Sequence, residues 1–153
     1  MTRSKNATRD NAMNVFFVNT INGDILAGYV ILGVSAALPG APIRGTTASG
    51  LAVTMADFPQ GLGLIAETWA HEGGHNLGLF HTSESSGTAF DPLLDTPECS
   101  RARDTNGNRV LEANECQGAG ADNLMFWTTS PTGLNTNLTP NQGFVILRDP
   151  VVH

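Results

Sequence analysis

Hydrophobic positions change their rhythm along this chain, and each change predicts an element. Val15-Phe16-Phe17-Val18 is a short continuous apolar run, the pattern of a strand buried on both faces. Tyr29-Val30-Ile31-Leu32-Gly33-Val34 is a second β-type run, leading into the loop Pro39-Gly40-Ala41-Pro42. Gly50-Leu51-Ala52-Val53-Thr54-Met55-Ala56 alternates, with Leu51, Val53 and Met55 on one face, and predicts a third strand. From about Gln60 to Leu77 the spacing becomes helical. Leu64, Thr68, His71 and His75 fall on one face, expected to line a cleft. Leu62, Ala66, Trp69, Gly73 and Leu77 fall on the opposite face, expected to be buried. After His81 regular patterning nearly vanishes for roughly forty residues, a length that needs its own fastening inside a compact domain. Thr139-Pro140-Asn141-Gln142 then reads as a capping box with proline at the first helical position. The short helix it opens should carry Phe144, Val145, Ile146 and Leu147 onto the domain and stop before Pro150.

Composition narrows the class. The 153 residues suffice for one domain with a real core and leave no length for a second. A net charge of −6 argues against a nucleic-acid surface, which needs a basic patch. Charged residues make up only 14% and glycines number 17, which suits a loop-rich extracellular fold better than a helical bundle. No apolar stretch reaches the roughly 18 residues of a membrane span. The first ten residues are polar and lack the apolar region of an export signal. Cys99 and Cys116 are the only cysteines, without C-x-x-C spacing, and in this acidic, secreted-looking context they are expected to form a disulfide.

The chemistry concentrates in His71-Glu72-Gly73-Gly74-His75-Asn76-Leu77-Gly78-Leu79-Phe80-His81. Positions four apart share a helix face, so His71 and His75 can hold one metal from the same side. Glu72 lies beside the first ligand, where a carboxylate can take a proton from metal-bound water. Gly78 can end the helix in a left-handed conformation and let His81 return as third ligand. Three nitrogen ligands leave one tetrahedral position open, the catalytic pattern for zinc; the alternative is that His71 and His75 alone bind and a distant carboxylate is the third ligand. A second metal loop is expected at Asp104, Asn106, Asn108, Val110 and Glu115, whose spacing follows an EF-hand calcium loop. Arg109 stands where that loop expects glycine, and a polar surface turn is the alternative. Asp91 and Asp95 either bind calcium or cap turns. Asn6-Ala7-Thr8 and Asn137-Leu138-Thr139 fit the glycosylation pattern.

The extended motif H-E-x-x-H-x-x-G-x-x-H resembles that of the metzincin zinc metalloendopeptidases. Met125, in Asp122-Asn123-Leu124-Met125-Phe126-Trp127, is the one methionine after it and matches the clan's methionine turn. His81-Thr82 followed by Asp91-Pro92-Leu93-Leu94-Asp95-Thr96-Pro97-Glu98-Cys99 is most similar to the pappalysin (cytophagalysin-like) branch. The likeness runs from about Asn14 to the C-terminus. It implies an α/β (α+β) fold: a metzincin-like zincin catalytic domain, with a twisted mixed sheet on an active-site helix. The N-terminal subdomain would span residues 1–78. A loop-rich C-terminal subdomain, 79–153, would end in a short helix. It further implies that the segment from Ile31 to Ala37 holds an extended peptide substrate by strand addition, an ordinary core strand being the alternative. Residues 128–133 would form the wall of the specificity pocket. The clan's first strand and backing helix are not visible, so the chain is expected to be a trimmed catalytic domain of a secreted protein.

Two positions depart from the clan. Trp127 stands where many members carry a tyrosine, and an indole N–H donates a hydrogen bond but does not titrate as a phenol does. Gly73 replaces a bulky aliphatic residue, and room for the Trp69 ring or for a neighbouring backbone is the expected reason. The function implied is a zinc-dependent endopeptidase acting on protein or peptide substrates, with Glu72 as general base on a metal-bound water. The alternative is a catalytically impaired extracellular binding or adhesion module that keeps the zinc site and a calcium-stapled loop.

Overall fold

Strand burial is decided by sheet order, and the order here is β1 (Val15–Val18), β3 (Leu51–Thr54), β2 (Gly33–Ser35). The computed structural model describes residues 12–23, 26, 28–40, 49–56, 61–130 and 134–153. Asn6, Ala41, Pro42, Gln60 and residues 131–133 of the expected pocket wall lie outside them. The described residues form a small mixed α/β architecture with a three-stranded mixed sheet and two helices. β1 runs parallel to β3, with Val15 opposite Leu51, and β2 runs antiparallel to it, with Gly33 opposite Val53. None of the described helices is long and apolar enough to cross a membrane.

The central position makes β3 the strand buried on both faces, with all four residues buried. Its alternating pattern predicted one buried face. Conversely, the continuous apolar run of β1 is only partly covered, and Phe17 is 56% exposed. Among the described residues β1 has β3 as its one strand neighbour, so its side chains are less covered than those of the central strand. β2 is shorter than the apolar run that predicted it, at three residues.

The chain divides into two compact units, Met1–Gly78 with Leu147–His153, and Leu79–Ile146. In the first, α1 (Leu62–Asn76) packs on β2 and β3, and Leu51, Val53 and Ile65 form the core with Met13, Val15 and Met55 against it. The face expected inside is corrected at three positions: Leu62 is 69% exposed, Trp69 is 48% exposed and Ala66 is also exposed. Gly73 is buried as expected, and with it the helix buries Ile65, Glu67, Thr68, Glu72, Gly74 and Asn76. Polar residues face the sheet because its loops and strands have made room for them. A Cβ on Gly40 would overlap the Asn76 amide, and the Gly40 N–H donates to the Asn76 carbonyl at 2.7 Å. The expected pairing of Trp69 with Gly73 is likewise corrected. The nearest atom to a Cβ at position 73 is the Met13 sulfur, at 4.0 Å.

The second unit builds its core around a disulfide. Cys99 and Cys116 are bonded, with 5.6 Å between Cα atoms, and both are fully buried among Leu111, Ala113, Ala119, Ala121 and Phe126. The bond expected from composition is therefore present. A 3-10 helix, Arg101–Arg103, is the only regular structure between His81 and α2 among the described residues. The predicted capping box opens α2 (Pro140–Ile146): the Thr139 N–H donates to Gln142 Oε1 at 2.9 Å, and the Gln142 N–H to Thr139 Oγ1 at 3.3 Å. The expected apolar docking of this helix is met only in part. Val145 and Ile146 are half-buried, Phe144 and Leu147 are exposed, and Gln142 is the one residue of α2 that is fully buried.

Candidate metal centre

Helix geometry sets the first two candidate ligands. His71 and His75 project from one face of α1 with ring centroids 4.7 Å apart and nearly perpendicular planes. The helix ends where the sequence places its stop. The Leu77 N–H donates to the Gly73 carbonyl and the Gly78 N–H to that of His75, and Gly78 takes a φ of +97°. A side chain at that φ would clash with its own backbone, so glycine fits the reversal. His81 follows. One ring nitrogen from each of His71, His75 and His81 lies within 4.8 Å of the other two. All three rings are partly buried. It is the one group of three or more His, Cys, Asp or Glu side chains so gathered among the described residues.

Imidazole nitrogens are borderline donors that suit a divalent transition metal such as zinc better than calcium or magnesium. Three of them converging, with no fourth protein donor in the group, fit a metal with one position left over. Glu72 sits beside His71 and is buried. Its side chain lies along β2 at Gly33.

The segment carrying His81 is held from several sides within its own unit. The Thr82 N–H donates to the Met125 carbonyl at 3.0 Å. Ser83 forms an antiparallel bridge to Phe90, and its hydroxyl accepts from the Cys99 N–H at 2.8 Å. The ring itself meets a carboxylate, with Nδ1 at 3.1 Å from Glu84 Oε1. Glu84 carried no signal in the sequence, because a glutamate three residues after a histidine is unremarkable without the ring's orientation.

Met125 is fully buried in a tight turn. Asn123 Oδ1 accepts the Met125 N–H at 2.9 Å, and the Phe126 N–H donates to the Asn123 carbonyl. Asn123 and Gln142 exchange amide hydrogen bonds of 2.9 and 3.1 Å. The turn is thus tied to the start of α2 by two buried amides, a pairing that the capping box alone could not disclose. Trp127 donates its indole N–H to the Leu111 carbonyl at 2.7 Å. Its donor serves the core of the second unit.

The loop 104–115 is laced by side-chain hydrogen bonds, most of them to its own backbone. Asp104 accepts from the Gly107 and Arg109 N–H groups, Asn106 from Asn108, and Asn108 from Val110. Glu115 closes the loop, accepting from the Thr105 N–H and hydroxyl, the Asn106 N–H and the Glu112 N–H. Desolvation pushes its carboxyl upward, but these hydrogen bonds together outweigh it and hold the group below its ordinary value. Arg109 has a φ of +68°, the left-handed conformation that an EF-hand loop gives to its sixth residue. Asp91 and Asp95 both act as caps. Asp91 Oδ1 accepts from the Leu93 N–H and the Thr96 hydroxyl, while its Oδ2 is buried without a hydrogen-bond partner among the described residues. Asp95 accepts from the Thr139 hydroxyl and the Asn141 N–H, at the start of α2. Asn137 is exposed, with its side-chain amide donating to Asp122.

Compared with models of known protein families, with curated proteins and with solved structures, the chain finds no match.

Proposed function

We propose that this chain is a zinc-dependent endopeptidase of the metzincin kind. The observation that carries this reading is the convergence of His71, His75 and His81, with the buried Glu72 carboxylate beside the first of them. Zinc bound by three imidazoles would supply Lewis acidity for a scissile carbonyl and lower the pKa of water. The chain's own residues do the rest. His71 and His75 hold their ligand atoms from a rigid helix, and His81 completes the set from a segment fastened at Thr82 and Ser83. Glu72 takes a proton from the attacking water and delivers it to the leaving amine. Trp127 takes no part in this scheme, since its N–H is committed to Leu111. The protein substrate would lie extended along β2, an edge strand among the described residues. The disulfide supports an extracellular setting, where such bonds persist.

Glu72→Gln should retain zinc and lose turnover on an unfolded protein substrate; full activity in that variant would remove Glu72 from the chemistry. His81→Ala should weaken zinc binding, and unaltered affinity would sink the three-histidine site.

The commitment of Trp127 to the core also favours a second reading, a binding module that keeps zinc but does not cleave. A cleavage assay with and without a chelator separates the two. Within either reading, the loop 104–115 is proposed to take calcium through Asp104, Asn106, Asn108, Val110 and Glu115. The left-handed Arg109 supports that assignment. A calcium-dependent rise in melting temperature, abolished in Asp104→Ala, is the expected result.

A further inference from the structure

We propose that Gly33 of β2 is a positioning residue for the Glu72 carboxylate, its missing side chain being the space through which Glu72 reaches along the strand. The role rests on the reading of Glu72 as the base. A Cβ built on Gly33 would stand 2.5 Å from Glu72 Cγ, 2.7 Å from Thr68 Cγ2 and 3.0 Å from Glu72 Oε1. Carbon atoms in good contact sit about 3.5–4.0 Å apart, so even a methyl group has no room. The requirement is for space alone, because Gly33 is not among the glycines with positive φ and its backbone would accept any residue.

The side chains cannot step aside cheaply. The closest atom is Glu72 Cγ, near the root of the side chain, so rotating the carboxylate about its last bond does not clear the obstruction. Moving Cγ means changing χ1, and a helix leaves few χ1 rotamers open. Any such change swings the carboxylate away from its place beside His71. The strand cannot retreat either. Gly33 is paired with Val53, and the Thr54 N–H donates to the Leu32 carbonyl at 2.7 Å. Thr68, the other residue in the way, is held by its hydroxyl bond to the Leu64 carbonyl at 2.8 Å. Gly33 therefore fixes how closely the base-bearing face of α1 approaches the strand proposed to hold substrate.

The test is Gly33→Ala in the zinc-loaded protein. Displacing a reacting group by about an ångström costs on the order of 100-fold, so kcat should fall about that far. KM and zinc affinity should stay within about twofold, since neither the strand's outer edge nor the histidines are touched. A folded Gly33→Ala protein with wild-type kcat would overturn the proposal. A melting-temperature cycle covers the case of a poorly folding variant. It compares Gly33→Ala with Glu72 present and with Glu72→Ala, both in a Thr68→Ser background that removes Cγ2 and keeps the hydroxyl. The loss caused by Gly33→Ala should be large beside Glu72 and small beside alanine. Equal losses would overturn the placement. If the wild-type zinc protein cleaves nothing, the endopeptidase reading falls by itself, and the melting cycle still decides whether residue 33 sets the position of Glu72.

Discussion

A histidine ring offers two nitrogens, and what binds one decides the work of the other. His81 Nδ1 lies 3.1 Å from Glu84 Oε1; in the tautomer that carries its proton on Nδ1, that proton would be shared with the carboxylate and Nε2 would be the nitrogen left for a metal. Losing such a partner costs metal affinity by about 10–100-fold. Glu84→Ala is therefore expected to weaken zinc binding by about tenfold in competition with a chromophoric chelator. Glu84→Gln, whose carbonyl still accepts, should recover most of it. Unchanged affinity in the alanine variant would detach the orientation of His81 from Glu84. Gly73 calls for the opposite kind of change. A Cβ there meets nothing nearer than 4.0 Å, so Gly73→Ala should raise the stability of α1 by about 0.5–1 kcal/mol in chemical denaturation. The grouping of His71, His75 and His81 was legible in the sequence because helix spacing is written in residue type and interval. Gly33 and Glu84 were not. Their roles come from approaches across the fold and from ring orientation, and spacing encodes neither.

Elements show the same division between what is local and what is not. The capping box of α2 and the glycine stop of α1 were readable because both are closed by residues within a turn of each other. The buried face of α1 was not. Periodicity identifies two faces, but the choice between them was made by the glycines at 33 and 40, which admit Glu72, Thr68 and Asn76 against the sheet. β1 and β3 exchanged their expected burial for a similar reason, since sheet order is a property of the pairing and not of either strand. The loop 104–115 was placed by its oxygen spacing, and Glu115 gives it a definite response to pH. The folded-state pKa of Glu115 is held below its unfolded value. Its contribution is therefore present above the unfolded carboxylate pKa and is lost as pH falls through the lower, folded value. In calcium-free solution, amide exchange at Thr105, Asn106 and Glu112 should quicken on acidification through that window, after correction for intrinsic rates. Glu115→Gln should show faster exchange already at neutral pH. Protection in Glu115→Gln that matches the wild type throughout would show that the carboxylate does not hold the loop.

At the scale of the whole molecule the two units are stabilised by different means. The first buries Leu51, Val53 and Ile65 between sheet and helix. The second has a core of alanines, Leu111 and Phe126 gathered on the Cys99–Cys116 bond, in a region with almost no regular structure. Small side chains bury little area, so the covalent link has a proportionately greater part in holding that unit. Closing a loop between cysteines 17 apart stabilises a fold by about 3 kcal/mol on the loop-entropy estimate. The chain supplies its own reporter, because its two tryptophans fall one in each unit: Trp69 on α1, and Trp127 packed against the disulfide cluster. In a Trp69→Phe background, urea unfolding followed by Trp127 fluorescence should shift to lower midpoint when both cysteines are changed to alanine. The shift should correspond to about 3 kcal/mol. Amide protection of Leu51–Thr54 in β3, measured on the same protein, should fall by much less. With the disulfide absent, the Ser83 hydroxyl bond to the residue 99 N–H loses its anchor, and zinc affinity should drop because His81 lies two residues before Ser83. Equal losses at Trp127 and at β3 would mean that the two cores unfold as one cooperative body, and that the disulfide stabilises the whole chain rather than the unit it lies in.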